Sequence, residues 1–583
     1  MDTRFHPERN LSLPQLVSAL NQELKLAVYS PSCVTTGRRC PLKRCADPYR
    51  SFGFNEVSQL DKDITTALAA VREWRNSFIP INRIPLDILP LIPSHLPSHN
   101  DRFRASFVCR HWRRTFLQHA ELWSELFLSK GGEYVKTLLG RAKGSVLDVS
   151  TSSAAPLNTM VLLSTHTRQI RRLDFLDGQW WNIQMFSEVN SGPFPLLRTL
   201  TIDISRESIL DVLGNAPPLQ PLFNDAVNLK ILRLYSKSMW SPSLTRLVFP
   251  NLTSFDFSTT QSEDFLASGL LDFLEASPML RVVHMKIVAD ISFEAVSQER
   301  IVVLPNVESF NLVTSDGGPG YETAVHISCP SATFTSLTIK KGPNHSVPEE
   351  IFPALASWNA IVCQYTRNPV EEVTVEIKTS FTITSRLTFR SADGTVIELC
   401  FEVALESHSS LPEIPPSFEE IRNETLVQAT KIVQNHPQLA NVKRLHVCHS
   451  FHSEVPSDVS NITNEVGQLF KAVGPLDELT IYDCDVRPYL HSFLPCLERD
   501  VEEPVVFPPT KKLTISHPKY ASSEVCVAIV ELAKSQHALG TPFECVVLRK
   551  EKLPQGIKAA LRPWVGSVEC CHERPHDSVW SPG

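Results

Sequence analysis

One pattern governs what this chain can fold into. A motif of the form apolar-x-x-apolar-x-apolar recurs; aligned on its middle position it falls at Leu173, Leu200, Leu232, Phe255, Val283, Phe310, Leu337, Val373, Leu445, Leu479, Leu513 and Val546. Successive copies lie 27, 32, 23, 28, 27, 27, 36, 72, 34, 34 and 33 residues apart. Each copy alternates as a strand does, and several are introduced by proline, as in Phe194-Pro195-Leu196-Leu197, Phe249-Pro250-Asn251-Leu252 and Leu304-Pro305-Asn306-Val307. Helix-like stretches such as 262–275 and 465–473 stand between copies, which is how a chain returns to lay the next strand parallel to the last. The expected fold is α/β: an irregular array of parallel strands and helices. The 72-residue gap between Val373 and Leu445 holds alternating segments joined by Asp393-Gly394, so an inserted β-hairpin is expected there.

The spacing resembles that of leucine-rich repeats, and the resemblance implies a solenoid over residues 166–549. Strict repeats would hold their period and carry an asparagine or cysteine after each strand; this array does neither. Alternation along the strands then puts a set of residues on the concave sheet face: Asp174, Thr201 with Asp203, Arg233 with Tyr235, Asp256, His284 with Lys286, Asn311, Lys340, Glu376, His446 with Cys448, and Tyr482. Their charges are mixed, which suits a protein or peptide surface better than nucleic acid. The bland alternative is a solvated face that binds nothing.

At 583 residues the chain exceeds what one core normally organises. No run approaches the ~18 apolar residues of a membrane span, and the opening MDTRFHPERN is charged rather than signal-like. The expected location is intracellular, cytoplasmic and/or nuclear. The 14 cysteines are thinly spread, as reduced thiols would be, and a net charge of −7 argues against a nucleic-acid-coating protein. No phosphate-cradling glycine motif, nucleophile elbow or metalloprotease spacing is present, so no intrinsic catalysis and no cofactor are expected. Cys33, Cys40 and Cys45, the group His446, Cys448, His449 and His452, and the tail Cys570-Cys571-His572 lack complete zinc-ligand spacing, and no metal site is expected.

The sharpest local pattern lies nearer the start. Residues 1–56 show no period and are expected to be poorly ordered. Over 57–79, Leu60, Ile64, Leu68, Val71 and Trp74 recur at three- and four-residue steps on one helical face. Ile84-Pro85-Leu86-Asp87-Ile88-Leu89 reads as a helix start, cut short by Pro90 and Pro93. Asp101 then reads as the N-cap of a second helix with the stripe Phe103, Phe107, Val108, Trp112 and Phe116, flanked by arginines.

These residues resemble the F-box pattern, roughly L-P-x-E-I-L-x-x-I-L-x-x-L, an acidic cap, V-C-x-x-W and a later L-W. Ile84-Pro85 stands for the opening pair, Asp87 for the acid, Ile88, Leu89, Ile92 and Leu96 for the ladder, Val108-Cys109-Arg110-His111-Trp112 for the core, and Leu122-Trp123 for the close. Departures are Ile84, Pro93, Arg102 and one extra residue before Asp101. The resemblance is to an F-box protein of the fungal type with a divergent leucine-rich-repeat-like C-terminal domain. It implies a short three-helix F-box over 80–128, a connecting segment over 129–165, the solenoid and a tail over 550–583. It also implies a non-catalytic substrate receptor of an SCF-type cullin-RING ubiquitin ligase. Pro85, Ile88, Leu89, Ile92, Leu96, Val108, Cys109 and Trp112 would meet a Skp-family adaptor, and through it cullin and RING subunits; the array would hold an unidentified protein substrate. A repeat scaffold without ligase function is the alternative.

Overall fold

The computed structural model describes most of residues 54–571; the longest stretches outside the description are 205–225, 237–247, 342–368, 405–416, 451–466 and 484–506, with 1–53 and 572–583 at the ends. Cys33, Cys40, Cys45, His452 and His572 lie outside the described residues. The chain divides into two units, residues 1–125 with 139–145, and residues 126–138 with 146–583.

The first unit is helical. Helix α1 (Phe54–Ser77) takes the place of the leading helix expected over 57–79, beginning three residues earlier and ending two earlier. The prolines then keep the chain in single turns: the Ile88 and Leu89 amides donate to the Pro85 carbonyl, and α2 is only Leu91–Ser94. The expected second helix is two. Helix α3 runs His99–Ala105, so Asp101 lies inside its first turn and is not its N-cap; α4 runs Arg110–Gln118. The break has a local cause. The Ser106 hydroxyl donates to the Phe103 carbonyl at 2.7 Å, the amides of Phe107 and Val108 close tight turns onto Arg104 and Ala105, and Cys109 is extended before α4. A 3₁₀ turn, Ala120–Trp123, ends the segment.

Among the described residues, the second unit is built on a sheet of 17 strands. They are β1 (Glu125–Phe127), β2 (Leu147–Thr151), β3 (Ile170–Phe175), β4 (Thr199–Ile204), β5 (Ile231–Ser236), β6 (Ser254–Thr259), β7 (Val282–Ile287), β8 (Ser309–Thr314), β9 (Phe334–Lys341), β10 (Val370–Thr379), β11 (Thr382–Ser391), β12 (Val396–Ala404), β13 (Arg444–Ser450), β14 (Leu476–Asp483), β15 (Thr510–Ser516), β16 (Cys545–Arg549) and β17 (Ser567–Cys571). The sheet thus reaches beyond the expected 166–549 at both ends: β2, parallel to β3, falls in the supposed connector, and β17, parallel to β16, falls in the supposed tail.

The strand pairing is parallel from β2 through β9 and from β13 through β17. The expected hairpin is present as β11 and β12, turned at Gly394 with φ +87, where a side chain would be strained. It belongs to a three-strand meander. β12, not β10, lies beside β9, β11 runs antiparallel between them, and β10 carries β13.

The register makes the repeat explicit. Leu173, Leu200, Leu232, Phe255, Val283 and Phe310 pair successively across strands, all buried, and Val373, Leu445, Leu479, Leu513 and Val546 do the same beyond the meander. Leu337 is the exception. Phe310 pairs with Thr335, while Leu337 pairs with Leu312, so the anchor of this repeat is Thr335 and the alignment by apolar residues slipped by two.

Before the strands stands a recurring turn whose fourth amide donates to the first carbonyl: Leu197 to Phe194, Leu229 to Ala226, Leu252 to Phe249, Leu280 to Ser277, Val307 to Leu304, Ala332 to Cys329 and Val442 to Leu439. In five of these the second residue is proline, whose fixed φ suits that position. The anchor follows three residues after the turn, which independently assigns Thr335. The turns are also stitched to one another: the side-chain amides of Asn228, Asn251 and Asn306 donate to the carbonyls of Pro195, Val227 and Pro278, in each case one turn upstream, at 2.7, 2.8 and 2.9 Å. Asparagine therefore marks this array before the strand.

Helices cover the sheet's buried face. Phe186 on the helix Trp180–Val189 meets Phe175 of β3 edge-on at 5.4 Å, and Phe273 on the helix Ala267–Glu275 meets Phe255 of β6 at 4.8 Å. All four rings are fully buried, each contributing about 1.5–3 kcal/mol of transfer free energy. This leaves the opposite face of the strands for contact.

Candidate functional site

Two surfaces can carry function, one in each unit. In the helical unit the core forms around Trp123, which is 1% exposed and donates its indole N–H to the Phe116 carbonyl at 2.8 Å. Phe103 meets it edge-on at 6.1 Å, and the Arg141 guanidinium lies 4.7 Å from its ring centre. Arg102, a departure from the F-box pattern, turns its charge to Glu125 at 2.6 Å. Leu89, Ala105, Trp112, Phe116 and Leu122 are buried as well. The Trp112 indole N–H is buried without a hydrogen-bond partner among the described residues.

The break between α3 and α4 sorts the apolar stripe. Phe107 and Val108 fall on the connecting turn and are 56% and 57% exposed, whereas Trp112 and Phe116 on α4 point inward. Ile88, on the turn before α2, and Leu91, the first residue of α2, are likewise 47% and 55% exposed. Of the eight residues expected to meet an adaptor, Pro85, Ile88 and Val108 are exposed, Ile92, Leu96 and Cys109 are half-buried, and Leu89 and Trp112 are internal. Phe107 and Leu91 join the exposed group; sequence reasoning assigned Phe107 to a continuous stripe and passed over Leu91. Exposed apolar side chains on short connecting turns are a surface suited to a protein partner.

Residues 81–129 match the family model described as F-box-like. The chain therefore carries an F-box-like domain. Its matched span includes α2, α3, α4, the Trp123 core and all four exposed apolar residues named above. No curated protein matches the chain. Among the described residues, no helix is long and apolar enough to cross a membrane, and no group of three or more His, Cys, Asp or Glu side chains could hold a metal ion.

Beyond the F-box-like domain lies the open face of the sheet. The register sets Thr201, Arg233, Asp256, His284 and Asn311 in one row across β4–β8, in which Thr201 is buried and not outward as expected, and Asp203, Tyr235, Ser258 and Lys286 in the next. Asp256 is the hub: it accepts the Tyr235 phenol at 2.5 Å and faces the His284 imidazole at 3.7 Å. Burial first, and then the Asp256 carboxylate, push the Tyr235 phenol well above its usual range, so it remains a donor at any ordinary pH. Asp174, also expected outward, is buried and paired with Arg172 at 2.6 Å. Lys340 pairs with Glu402 at 2.7 Å, and Tyr482 lies in the row between Cys448 and Ser516.

Sequence reasoning missed the charge order of the later strands. Arg390, Glu372, Arg444, Glu478 and Lys512 occupy one cross-strand row with alternating sign, linked by Arg444–Glu372 at 3.0 Å and Lys512–Glu478 at 2.9 Å. Arg386 sits between Glu376 at 3.3 Å and Glu398 at 3.0 Å. Only pairing in register brings these residues together, since neighbours in the row such as Glu372 and Arg444 are as much as 72 positions apart. The thiols of Cys329 and Cys400 are buried and pushed up to about 12, which keeps them protonated at neutral pH.

Proposed function

We propose that the chain is the substrate-recognition subunit of an SCF-type cullin-RING ubiquitin ligase. The F-box-like domain engages a Skp-family adaptor, and through it cullin and RING subunits; the open face of the sheet holds a protein substrate. The observation that carries this reading is the F-box-like match over a segment that leaves Ile88, Leu91, Phe107 and Val108 on its surface. We read the sheet as an irregular leucine-rich-repeat-like solenoid, on the strength of its parallel strands, common register and stitched turns.

In this reading the chain does no bond chemistry. It raises the effective concentration of substrate at the ubiquitin-loaded enzyme, and the transfer belongs to other subunits. Such a receptor works inside the cell, in the cytoplasm and/or the nucleus. The mixed-sign rows of β4–β8, with their hydroxyl, imidazole and guanidinium groups, suit a folded protein surface or a peptide.

Co-expression of the full chain with a Skp-family adaptor tests the first step: a stable stoichiometric complex is expected, and failure of folded protein to form one removes the ligase reading. A second reading, a repeat scaffold without ligase function, draws on the brevity of α2, whose four residues offer an adaptor less helical surface than the family pattern implies.

A further inference from the structure

The residue that leads into each strand carries a charge pattern that the open face does not. Two places before their anchors stand Arg171, Arg198, Lys230, Thr253, Arg281 and Glu308. Backbone bonds join them into one row: from Arg198 onward, each amide donates to the carbonyl of the preceding member, at 2.7–2.9 Å. Neighbours in the row are therefore about 4.8 Å apart, one strand spacing. Beyond the meander the same place is held by Glu371, Lys443, Asp477 and Lys511. There the sign alternates and the charges meet, Lys443 reaching Glu371 at 2.6 Å and Lys511 reaching Asp477 at 2.7 Å. Side chains at this place thus touch across one repeat.

From β3 to β7 the sign does not alternate. Arg171 is paired with Asp148 at 2.6 Å, and Arg281 lies 3.6 Å from Glu308, where the row turns negative. Between them Arg198 and Lys230 stand side by side, both exposed, and neither side chain has an ion-pair or hydrogen-bond partner among the described residues. Like charges opposite one another on neighbouring strands are destabilising unless an anion comes between them. The turns just before these cations add exposed apolar side chains, Leu196, Val227 and Met279. Five strands span roughly 19 Å, the length of about six residues of extended peptide. Such a stretch, short and interleaved with aliphatic groups, does not suit a phosphate backbone, which needs a longer cationic track and aromatic platforms. We propose that the strand-entry rim of β3–β7 binds an acidic peptide segment of a protein partner, its carboxylates meeting Arg198 and Lys230 and its apolar side chains meeting Leu196 and Val227. Naming that partner the substrate rests on the substrate-receptor reading; the binding itself does not.

The test is fluorescence anisotropy of the full chain with a fluorescein-labelled hexapeptide, Leu-Glu-Glu-Glu-Glu-Leu, and its glutamine counterpart, at about 0.15 M salt. The acidic peptide is expected to bind and the glutamine peptide not to. R198E and K230E should each weaken binding about tenfold, whereas K443E, the same charge change at the same place in the neutralised run, should alter it less than about twofold. All three positions are exposed, so the variants should melt as the wild type does. Folded wild type that leaves the acidic peptide unbound overturns the proposal. So does equal binding of the glutamine peptide, an equal loss in K443E, or tighter binding of a single-stranded oligonucleotide of the same charge. Adaptor binding, measured on the same variants, separates the two readings: a chain that holds the peptide but no Skp-family adaptor supports the rim and removes the ligase.

Discussion

The side chain of Asn251 reaches back across one repeat to the Val227 carbonyl, at 2.8 Å, from one turn to the turn before it. With Asn228 and Asn306 making the same step, the turns of this array are tied by side chains where the strands are tied by backbone.

That tie has a measurable strength. Each contact is solvent-exposed, so Asn251→Ala should cost about 0.5–1 kcal/mol. Combining it with Asn228→Ala should give a near-additive loss in urea denaturation. A loss close to zero would mean that the amides merely decorate turns already fixed by their prolines.

The sorting of apolar residues in the F-box-like domain predicts two kinds of variant. If the proposed adaptor contact is made there, Val108→Asp or Ile88→Asp should leave thermal unfolding unchanged and weaken binding to a Skp-family adaptor by about tenfold or more, since the exchange would remove an apolar anchor and bury a charge on binding. Trp112→Ala, at an internal site 4% exposed, should lower the stability of the domain by about 3–5 kcal/mol. Equal effects of Val108→Asp and Trp112→Ala on the thermal melt would contradict this division.

His446 provides a pH-dependent term. Burial, opposed by Glu372 and Glu478, lowers its pKa below the ordinary histidine value, and its Nδ1 is buried without a hydrogen-bond partner among the described residues. The unfolded chain therefore takes up the proton first as pH falls, and stability present above about pH 6.5 declines below it. His446→Gln should flatten that decline between neutral and mildly acidic pH, measured by denaturant midpoints. An unchanged slope would place the titration elsewhere.

The reassigned anchor can be tested as well. Thr335 is 3% exposed and occupies a row otherwise filled by Leu, Phe, Val and Ile. Thr335→Val should raise stability by about 0.5–1 kcal/mol, because the row accepts a methyl where it now holds a hydroxyl. A strong loss would argue for a specific role of the hydroxyl and against the shared register.

How much of this was legible in the sequence follows from what each feature depends on. The array was visible through its period, because every repeat buries an apolar residue at the same place in its strand; it failed at Thr335, where the residue is polar and only the preceding turn keeps the count. The hairpin was visible through Asp393-Gly394, since the turn needs a residue free to adopt positive φ. Its insertion between β9 and β10 was not, because strand order is a long-range fact with no local signature. In the F-box-like domain the motif residues were found in order. The break after Ala105 hid among them: periodicity runs through Ser106 unbroken, while the chain turns there because that serine's hydroxyl satisfies a nearby carbonyl. The alternating charges of β10 to β15 needed the register before they could be recognised as partners.

The meander has a consequence for how the molecule comes to exist. A chain emerging from its N-terminus can add one strand to the last up to Phe334–Lys341, and then it cannot: the partner of that strand is Val396–Ala404, which arrives about sixty residues later. Until then the edge stands open, with backbone groups unpaired and able to capture any passing strand. Everything after the meander docks onto Val370–Thr379 and so waits on the same event. The gap between the two runs of parallel strands is thus a checkpoint in biosynthesis, and the stretch over which a nascent chain would most need protection.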